Sequence, residues 1–442
     1  MAGVPAAQAS HNADLHEDMT LVGRFDDGGT YQDGTDLAFW GDRAVLGNLN
    51  PGGFRLVDIA DPTNPTEIGQ LNCGGSQNDV SIWKNIVLLS IDGPRRSDEC
   101  GAPAATQDQI LTGTAWEGIR IVSIKDPASP VQVAAVDTPC GSHTHTIVPD
   151  TKHRDENGKP APRLIVYVLS FPLTAQGVDC ASGTHRRVVV VEVPMKNPAS
   201  SRIIAQPDVS PADGCHDMSV LLDRRTDPPR LLAGAACITE SQVWDISDPV
   251  NPEILAHIVN PQINIHHSAA FNWEGDTLVL GDELGGAALA PGCFEDDAAL
   301  GALWFYDVTD PRNPQVKGNF VIPHREGAIT SPCTAHNYNM VPLADGRDVL
   351  VSAWYFGGTT VVDFTDPAKP QQIAFYLPRE GRSGITWSSY WYNGFVYANN
   401  LSTGGASRGL DVFTVEDPAV DSAVQVPRLN PQTQERPAGV AD

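Results

Sequence analysis

Histidine recurs at one position in four successive segments of this 442-residue chain. Each of these histidines stands just before a short apolar run that reads as a β-strand, and the four are His145, His216, His267 and His336. Because the chain has only 12 histidines, composition alone gives four such matches with a chance on the order of one in a thousand. Neutral imidazole is a common ligand of transition metals. The spacing therefore predicts one metal centre, with iron or copper favoured over zinc or manganese.

Carboxylates and a fifth histidine flank this set. His143 lies two residues before His145, hence on the same side of an extended backbone. Asp282 and Glu283 end the second strand of the segment that carries His267, which would return them to that imidazole. We expect Asp282 or Glu283 to bind the metal, to orient a histidine or to act as a general base. The alternative is a set of structural histidines that each bond locally, as in propellers of the WD type.

The elements that would position these histidines are repeated strands. Seven segments contain an apolar strand that ends in an Asp-Pro or Asn-Pro turn, and they are RLVDIADPTNP (55–65), RIVSIKDPASP (120–130), VVVVEVPMKNP (188–198), QVWDISDPVNP (242–252), LWFYDVTDPRNP (303–314), TVVDFTDPAKP (360–370) and LDVFTVEDP (410–418). Two apolar strands precede each segment and an alternating run follows most of them, which gives four strands per repeat. Four-stranded units repeated around an axis are propeller blades. The sequence thus predicts an all-β fold, a seven-bladed β-propeller with four-stranded blades.

These segments resemble the LVIVD-repeat family over nearly the whole chain. The resemblance implies a β-propeller of bacterial or archaeal surface or exported proteins, and it implies little about chemistry. We expect an N-terminal extension over 1–19, the propeller over 20–429 and a disordered tail over 430–442. The ring would be closed by the strand at 20–25 or by that at 422–429, and the N-terminal strand is favoured.

Eight cysteines fall in predicted loops on the histidine side of the blades. That placement brings four bridges within reach, namely Cys73–Cys100, Cys140–Cys180, Cys215–Cys237 and Cys293–Cys333. Eight cysteines allow 105 pairings, so the connectivity stays open. Structural disulfides form in oxidising compartments, which favours a secreted or cell-surface protein. The first residues lack the apolar stretch of a signal peptide, so the chain reads as a mature sequence.

Charge limits the partners of this protein. The net charge is −25, with 54 acidic and 29 basic residues, and a field of that sign repels the phosphates of nucleic acids. The sequence has no apolar run long enough to span a membrane. A small or oligomeric organic substrate remains, and the candidates to line its pocket are Trp354, Tyr355 and Trp387.

Three functions fit these observations. The first is a secreted enzyme with a mononuclear metal centre and oxidative chemistry, similar in architecture to carotenoid-cleaving oxygenases and to copper-dependent propeller oxidases. The second is a lyase or hydrolase that uses the ion as a Lewis acid, for which Glu283 would be essential. The third is a non-catalytic surface module whose loops bind a protein or a glycan.

Overall fold

The computed structural model describes most of the chain, namely residues 14–26, 33–49, 52–172, 184–283, 299–323, 333–378, 385–401 and 409–440. Within these residues, helix is limited to α1 (Gln107–Leu111) and to 3₁₀ turns at Pro198–Ser200 and Pro418–Val420. No helix of this part of the chain is long and apolar enough to cross a membrane. The fold is therefore all-β, as predicted.

The strands follow one another closely along the chain. The first are β1 (Leu15–Glu17), β2 (Met19–Phe25), β3 (Gly34–Trp40), β4 (Arg43–Asn48), β5 (Gly53–Asp58), β6 (Thr66–Asn72), β7 (Val80–Trp83), β8 (Ile86–Arg95), β9 (Trp116–Ser123), β10 (Val131–Asp137), β11 (Thr144–Asp150), β12 (Arg163–Leu169), β13 (Val189–Pro194) and β14 (Arg202–Ala205). The next are β15 (Asp217–Asp223), β16 (Arg230–Cys237), β17 (Glu240–Asp245), β18 (Glu253–Ile258), β19 (His266–Phe271), β20 (Thr277–Asp282), β21 (Leu303–Asp307) and β22 (Gln315–Phe320). The last are β23 (Thr334–Met340), β24 (Val349–Tyr355), β25 (Gly358–Asp363), β26 (Gln371–Leu377), β27 (Thr386–Tyr392), β28 (Phe395–Asn400), β29 (Leu410–Val415), β30 (Arg428–Leu429) and β31 (Thr433–Gln434).

Antiparallel units of four consecutive strands build the sheets. The units are β3–β6 with β30 at its edge, β7–β10, β11–β14, β15–β18 with β31 at its edge, and β19–β22. A nine-stranded sheet contains β23–β26 with β1 and β27–β29 with β2, joined by one parallel pair, Asn337 and Ser388. The first strand of each unit contacts the first strand of the next, and β27 returns to β3. These first strands therefore surround a common axis, as in a propeller.

The Asp-Pro pair of the repeat makes the turn that follows the third strand of a unit. In six repeats the aspartate side chain accepts a hydrogen bond from the backbone N–H two residues later, and these aspartates are Asp61, Asp126, Asp248, Asp310, Asp366 and Asp417. Such a turn replaces strand hydrogen bonds with a side-chain bond. It also packs on the neighbouring unit, because a Cβ on Gly69 would lie 1.8 Å from the carbonyl oxygen of Pro127.

The N-terminal strand joins the last repeat. β2 pairs antiparallel with β29, and Nε of Arg24 lies 2.6 Å from Oδ1 of the buried Asp411. The last repeat alone contributes only three strands to this unit, and β2 supplies the fourth. The two ends of the repeat region are therefore hydrogen-bonded to each other.

The C-terminal segment is ordered, and this corrects the prediction of a disordered tail from residue 430. Asn430, Gln432 and Gln434 are buried, with 5 to 6% of each residue exposed. The polar, proline-containing composition suggested disorder because such segments bury little apolar surface. The side-chain amides of Asn430, Gln432 and Gln434 instead bond to buried groups of the innermost strands.

Two disulfides of the predicted set are present among the described residues. Cys73 bonds to Cys100 and Cys215 bonds to Cys237, each linking the loop before a unit's first strand to a residue at or after the end of its second strand. Cys140 and Cys333 are also disulfide-bonded. Their predicted partners Cys180 and Cys293 lie outside the described residues.

A partly buried carboxyl group beside β24 makes folding stability depend on pH. Burial raises the pKa of Asp348 to about 7; a hydrogen bond from Asn272 lowers this pKa, and the nearby charges of Glu274 and Asp276 raise it. The Asn272 Nδ2 to Asp348 Oδ2 distance is 3.1 Å. Since the pKa is near 3.8 in the unfolded chain, the free energy of unfolding falls as the pH rises from about 4 through 7.

We therefore expect Asp348→Asn to stabilise the protein at alkaline pH. The new amide oxygen can still accept from Asn272, and the cost of ionising a buried group disappears. The free energy of unfolding should rise by about 1–4 kcal/mol at pH 8 and stay near the parent value at pH 4. Urea unfolding at both values checks this, with the exposed Asp421→Asn as the control. An equal effect at both values would contradict the pKa argument.

Candidate metal centre

Four imidazole rings meet at one end of the axis, where the first strands of four successive units begin. They belong to His143, His216, His267 and His336. The ring centroids of successive neighbours lie 4.4, 3.8 and 4.3 Å apart. All four residues are buried, with at most 7% of any of them exposed. The order of the rings in space follows their order in the chain.

A carboxylate orients the first of these rings. Nδ1 of His143 lies 2.7 Å from Oδ2 of Asp92, which is near the C-terminal end of β8. Because a carboxylate accepts hydrogen bonds, Nδ1 donates to Asp92, which leaves Nε2 as the nitrogen of this ring that could bind a metal. That Nε2 atom lies 2.9 Å from Nε2 of His216. Two ligand nitrogens of one transition metal lie about 3 Å apart when each bond is about 2.0–2.1 Å, so this pair fits one ion.

His145 lies outside the cluster. Its Nδ1 atom is 2.7 Å from the Ser90 hydroxyl and 3.1 Å from Oδ2 of Asp79, which also accepts the backbone N–H of His145. The ring is fully buried in this polar contact. The structure thus brings His143 to the other three histidines and holds His145 in a separate group of hydrogen bonds.

The register of the strands explains why His143, and not His145, joins the other three histidines. The backbone N–H of His143 donates to the carbonyl of Leu169, and that of His216 donates to the carbonyl of Ala236, each one residue before the first strand of its unit. His143 and His216 are therefore equivalent in hydrogen bonding. Aligning His145 with His216 displaced the third repeat by two residues.

Irregular pairing re-aims two of the other rings. The pairing of β19 with β20 shifts between His266 and Ser268, so that His267 lies in the irregularity. A similar shift between Ala335 and Tyr338 contains His336. Such bulges turn a side chain away from the strict alternation of a strand. His266 points elsewhere, with its Nδ1 atom 2.7 Å from the Ser241 hydroxyl.

Glu283 faces the cluster and Asp282 does not. Oε2 of Glu283 lies 3.8 Å from Nε2 of His267, and Oε1 lies 3.9 Å from Nε2 of His336. One possible ligand atom from each of His216, His267 and Glu283 lies within 4.8 Å of the other two. Asp282 instead accepts backbone N–H groups, including that of Gly301 at 3.0 Å. The other two belong to Asn264 and Ile265.

Burial keeps the imidazoles of His216, His267 and His336 neutral. It lowers the pKa of His216 and His267 well below the usual value, and the neighbouring histidines add to this effect. Burial also lowers the pKa of His336 to about 3, although the hydrogen bond of this ring to the carbonyl of Trp387 opposes the shift. Neutral imidazole is the form that binds metals.

The same burial acts on the carboxyl group. It raises the pKa of Glu283 to about 8; a hydrogen bond with the Tyr355 hydroxyl lowers this pKa, and the charge of Asp282 raises it. Without a cation beside it, the Glu283 carboxyl is therefore largely protonated at neutral pH. A bound divalent ion would favour its ionised form.

Several ring nitrogens in the cluster have no hydrogen-bond partner among the described residues. They are Nδ1 and Nε2 of His267 and Nδ1 of His216. A buried polar atom without a partner costs about 1–3 kcal/mol. A metal ion that accepts a lone pair would offset this cost at one nitrogen of the His267 ring. The donor set of imidazoles and one carboxylate fits such an ion.

Aromatic rings line the cluster on two sides. Tyr355 stacks on His336 with centroids 4.4 Å apart, and Trp387 contacts the same ring edge-on at 4.9 Å. On the opposite side, Phe171 lies 4.7 Å from His143. Phe171 and Trp387 are partly exposed, so they can contact a molecule that approaches the cluster.

The third predicted pocket residue lies elsewhere. Trp354 is fully buried, and its ring packs edge-on against Phe320 in the core between two units. Alternation along β24 sends Trp354 and Tyr355 to opposite sides, which explains why only one of them reaches the histidines.

Sequence reasoning missed Asp92 and Phe171. A signal for Asp92 was present, because it lies near the end of the second strand of its unit, as Asp282 does in a later unit. No pattern in the sequence indicated Phe171, which follows β12 just before a stretch outside the described residues.

Comparison with known proteins supports the repeat and the fold. The LVIVD repeat family matches residues 49–73. No curated protein sequence matches this chain. A protein from Lactobacillus plantarum of known structure is 12% identical, with a TM-score of 0.53 over 94% of this chain and 96% of that one. The β-propeller domain of Cps50 (Swd1) from Myceliophteria thermophila is 10% identical, with a TM-score of 0.50 over 90% of this chain and 99% of that one. The chain therefore carries an LVIVD repeat and has the fold of the β-propeller proteins.

Proposed function

We propose that this protein is a secreted, seven-bladed β-propeller enzyme with one transition-metal ion on its axis. The ligands are the ring nitrogens of His143, His216, His267 and His336, and Glu283 lies beside the ion. The observation that carries this proposal is the buried cluster of four imidazoles with ring nitrogens that lack hydrogen-bond partners. The two described disulfides support secretion.

The hydrogen bonds of two ligands support this assignment. Asp92 accepts from Nδ1 of His143, and the carbonyl of Trp387 accepts from Nδ1 of His336. In both rings Nε2 is left as the ligand atom. Nε2 of His143 faces His216, and Nε2 of His336 faces Glu283. Partners of this kind fix the tautomer and the orientation of metal-binding histidines.

The chemistry we propose is oxidation of an organic substrate by dioxygen, which takes up the electrons that the substrate loses. A set of neutral imidazoles with one carboxylate suits iron or copper, and such an ion, when bound, supplies electron transfer. The partly exposed rings of Phe171 and Trp387 would contact an apolar part of the substrate. Glu283 would accept or donate a proton beside the reacting atoms.

A second candidate function is lysis or hydrolysis with the ion as a Lewis acid. The position of Glu283 favours it, because the carboxylate lies 3.8 and 3.9 Å from two imidazoles and can act as a base beside the ion. Both candidates share one site and differ in the redox activity of the metal.

Elemental analysis of untagged protein tests the proposal. We expect about one iron or copper per chain after purification without metal-affinity steps, and an electron paramagnetic resonance signal that changes on reduction. Stoichiometric zinc without a redox signal would favour the second candidate. A chain that binds neither iron, copper, zinc nor manganese, even after incubation with each ion, would overturn both.

A further inference from the structure

The C-terminal segment 428–440, here called the C-terminal strap, crosses the axis on the side away from the histidines. Two of its three side-chain amides bond to the backbones of innermost strands. The amide of Gln434 accepts from the N–H of Phe271 and donates to its carbonyl. The amide of Asn430 makes the same pair of bonds with Ile82. Each amide thus replaces a neighbouring strand at an inner edge.

Two further contacts extend the strap across the next strands. The backbone N–H of Val220 donates to the carbonyl of Gln432 at 2.8 Å, within the parallel pairing of β31 with β15. The Thr433 hydroxyl donates to the carbonyl of Ile147. In addition to β7, the strap therefore bonds to three consecutive first strands, β11, β15 and β19.

These three strands are the ones that begin at the first three histidines of the cluster. The residues bonded by the strap each lie four positions after a histidine: Ile147 follows His143, Val220 follows His216, and Phe271 follows His267. At about 3.3 Å per residue, the strap contacts lie roughly 13 Å below the imidazoles on each strand. One continuous segment thus joins all three strands at a common level.

We infer that the C-terminal strap is a positioning element of the metal centre. This inference rests on the proposed function, because it concerns the same ligands. Metal affinity depends on ligand distances that agree to within about 0.2 Å. Each strand is rigid over the few residues between the strap and its histidine, so a bond that fixes one end restricts the spacing of the imidazoles at the other end. The strap holds three ligands at the separation that one ion needs.

The test removes single strap bonds and measures metal binding. Gln434→Leu removes both bonds to Phe271, and Thr433→Val removes only the bond to Ile147. The control is Gln425→Leu, an exposed glutamine before the strap. Copper affinity is measured by competition with a chelator, and the copper site is examined by paramagnetic resonance. We expect a loss of about tenfold or more with an altered spectrum for Gln434→Leu, a smaller loss for Thr433→Val and no change for the control.

The outcomes separate this inference from the proposed function. Parent protein that binds copper, together with strap variants that match its affinity and spectrum, overturns the inference alone. Parent protein that binds no metal overturns both. If Gln434→Leu fails to fold, Thr433→Val decides, since valine keeps the shape of threonine. Lower thermal stability of the apoprotein with unchanged affinity and spectrum would show a merely structural role and overturn the inference.

Discussion

Replacing His216 and His267 together by alanine should reduce bound metal to background. The two rings lie at the centre of the cluster, with centroids 3.8 Å apart. Metal-binding energies of about 10–16 kcal/mol shared by four ligands give roughly 100- to 1,000-fold in affinity per ligand. Losing two ligands should therefore lower affinity by more than about 10,000-fold and abolish any metal-dependent activity. Elemental analysis after dialysis against a weak chelator measures the loss.

Two neighbouring histidines provide matched controls. His266→Gln changes the residue next to His267, and His145→Gln changes the histidine that bonds to Ser90 and Asp79. Both variants should retain about one ion per chain. Full metal content in the His216→Ala, His267→Ala double variant would remove the basis of the proposed centre. Loss of metal in His145→Gln alone would indicate that the ion binds near Asp79 instead.

Replacing Asp92 by alanine should weaken metal binding without removing a ligand. The carboxylate accepts from Nδ1 of His143 at 2.7 Å and is itself nearly buried. Without it, the His143 ring can rotate or change tautomer, so that Nε2 no longer presents its lone pair to the ion. Removal of such a partner typically costs 10–100-fold in metal affinity. Chelator competition on the purified variant measures the change.

A conservative variant separates orientation from burial. Asp92→Asn keeps an oxygen that can accept from Nδ1 of His143, so it should lose less affinity than Asp92→Ala. The exposed Asp126→Ala, in the turn of the same unit, is the control and should bind metal as the parent does. Equal affinity in Asp92→Ala and the parent would contradict a role for the carboxylate in orienting His143.

The fold was accessible from the sequence because its signals are local. Each Asp-Pro turn is made within a few residues, as Asp61 shows by bonding to the N–H of Thr63. The alternating strands on either side need no knowledge of distant residues. Their repetition predicted the four-stranded units, and the Cys73–Cys100 and Cys215–Cys237 bridges followed from the loops that connect them.

The site was only partly accessible because it depends on register. Three of its histidines were predicted directly, whereas His143 was placed among the groups around the metal. His267 and His336 lie at irregularities that strict alternation does not foresee. The hydrogen bond of His143 to Leu169, which sets its equivalence with His216, joins residues 26 positions apart and leaves no trace in a local pattern.

The C-terminal strap was missed for a different reason. Asn430 and Gln434 are polar, and polar residues in a proline-containing end usually remain in solvent. Here their amides satisfy backbone groups of Ile82 and Phe271 that face the axis. The backbone groups of Ile82 and Phe271 need the amides as partners only once the ring of blades has formed. The composition of the segment could therefore not reveal this role.

The pairing of β2 with β29 also determines when the protein can finish folding. Arg24 and Asp411, which bond across this pair, are separated by 387 residues. During synthesis β2 leaves the ribosome long before β29 and must wait for the intervening chain before its partner exists. Contacts of such sequence separation slow folding. Until β29 is available the ring is open and has unpaired strand edges, and chaperones that shield such edges should act on it during that time.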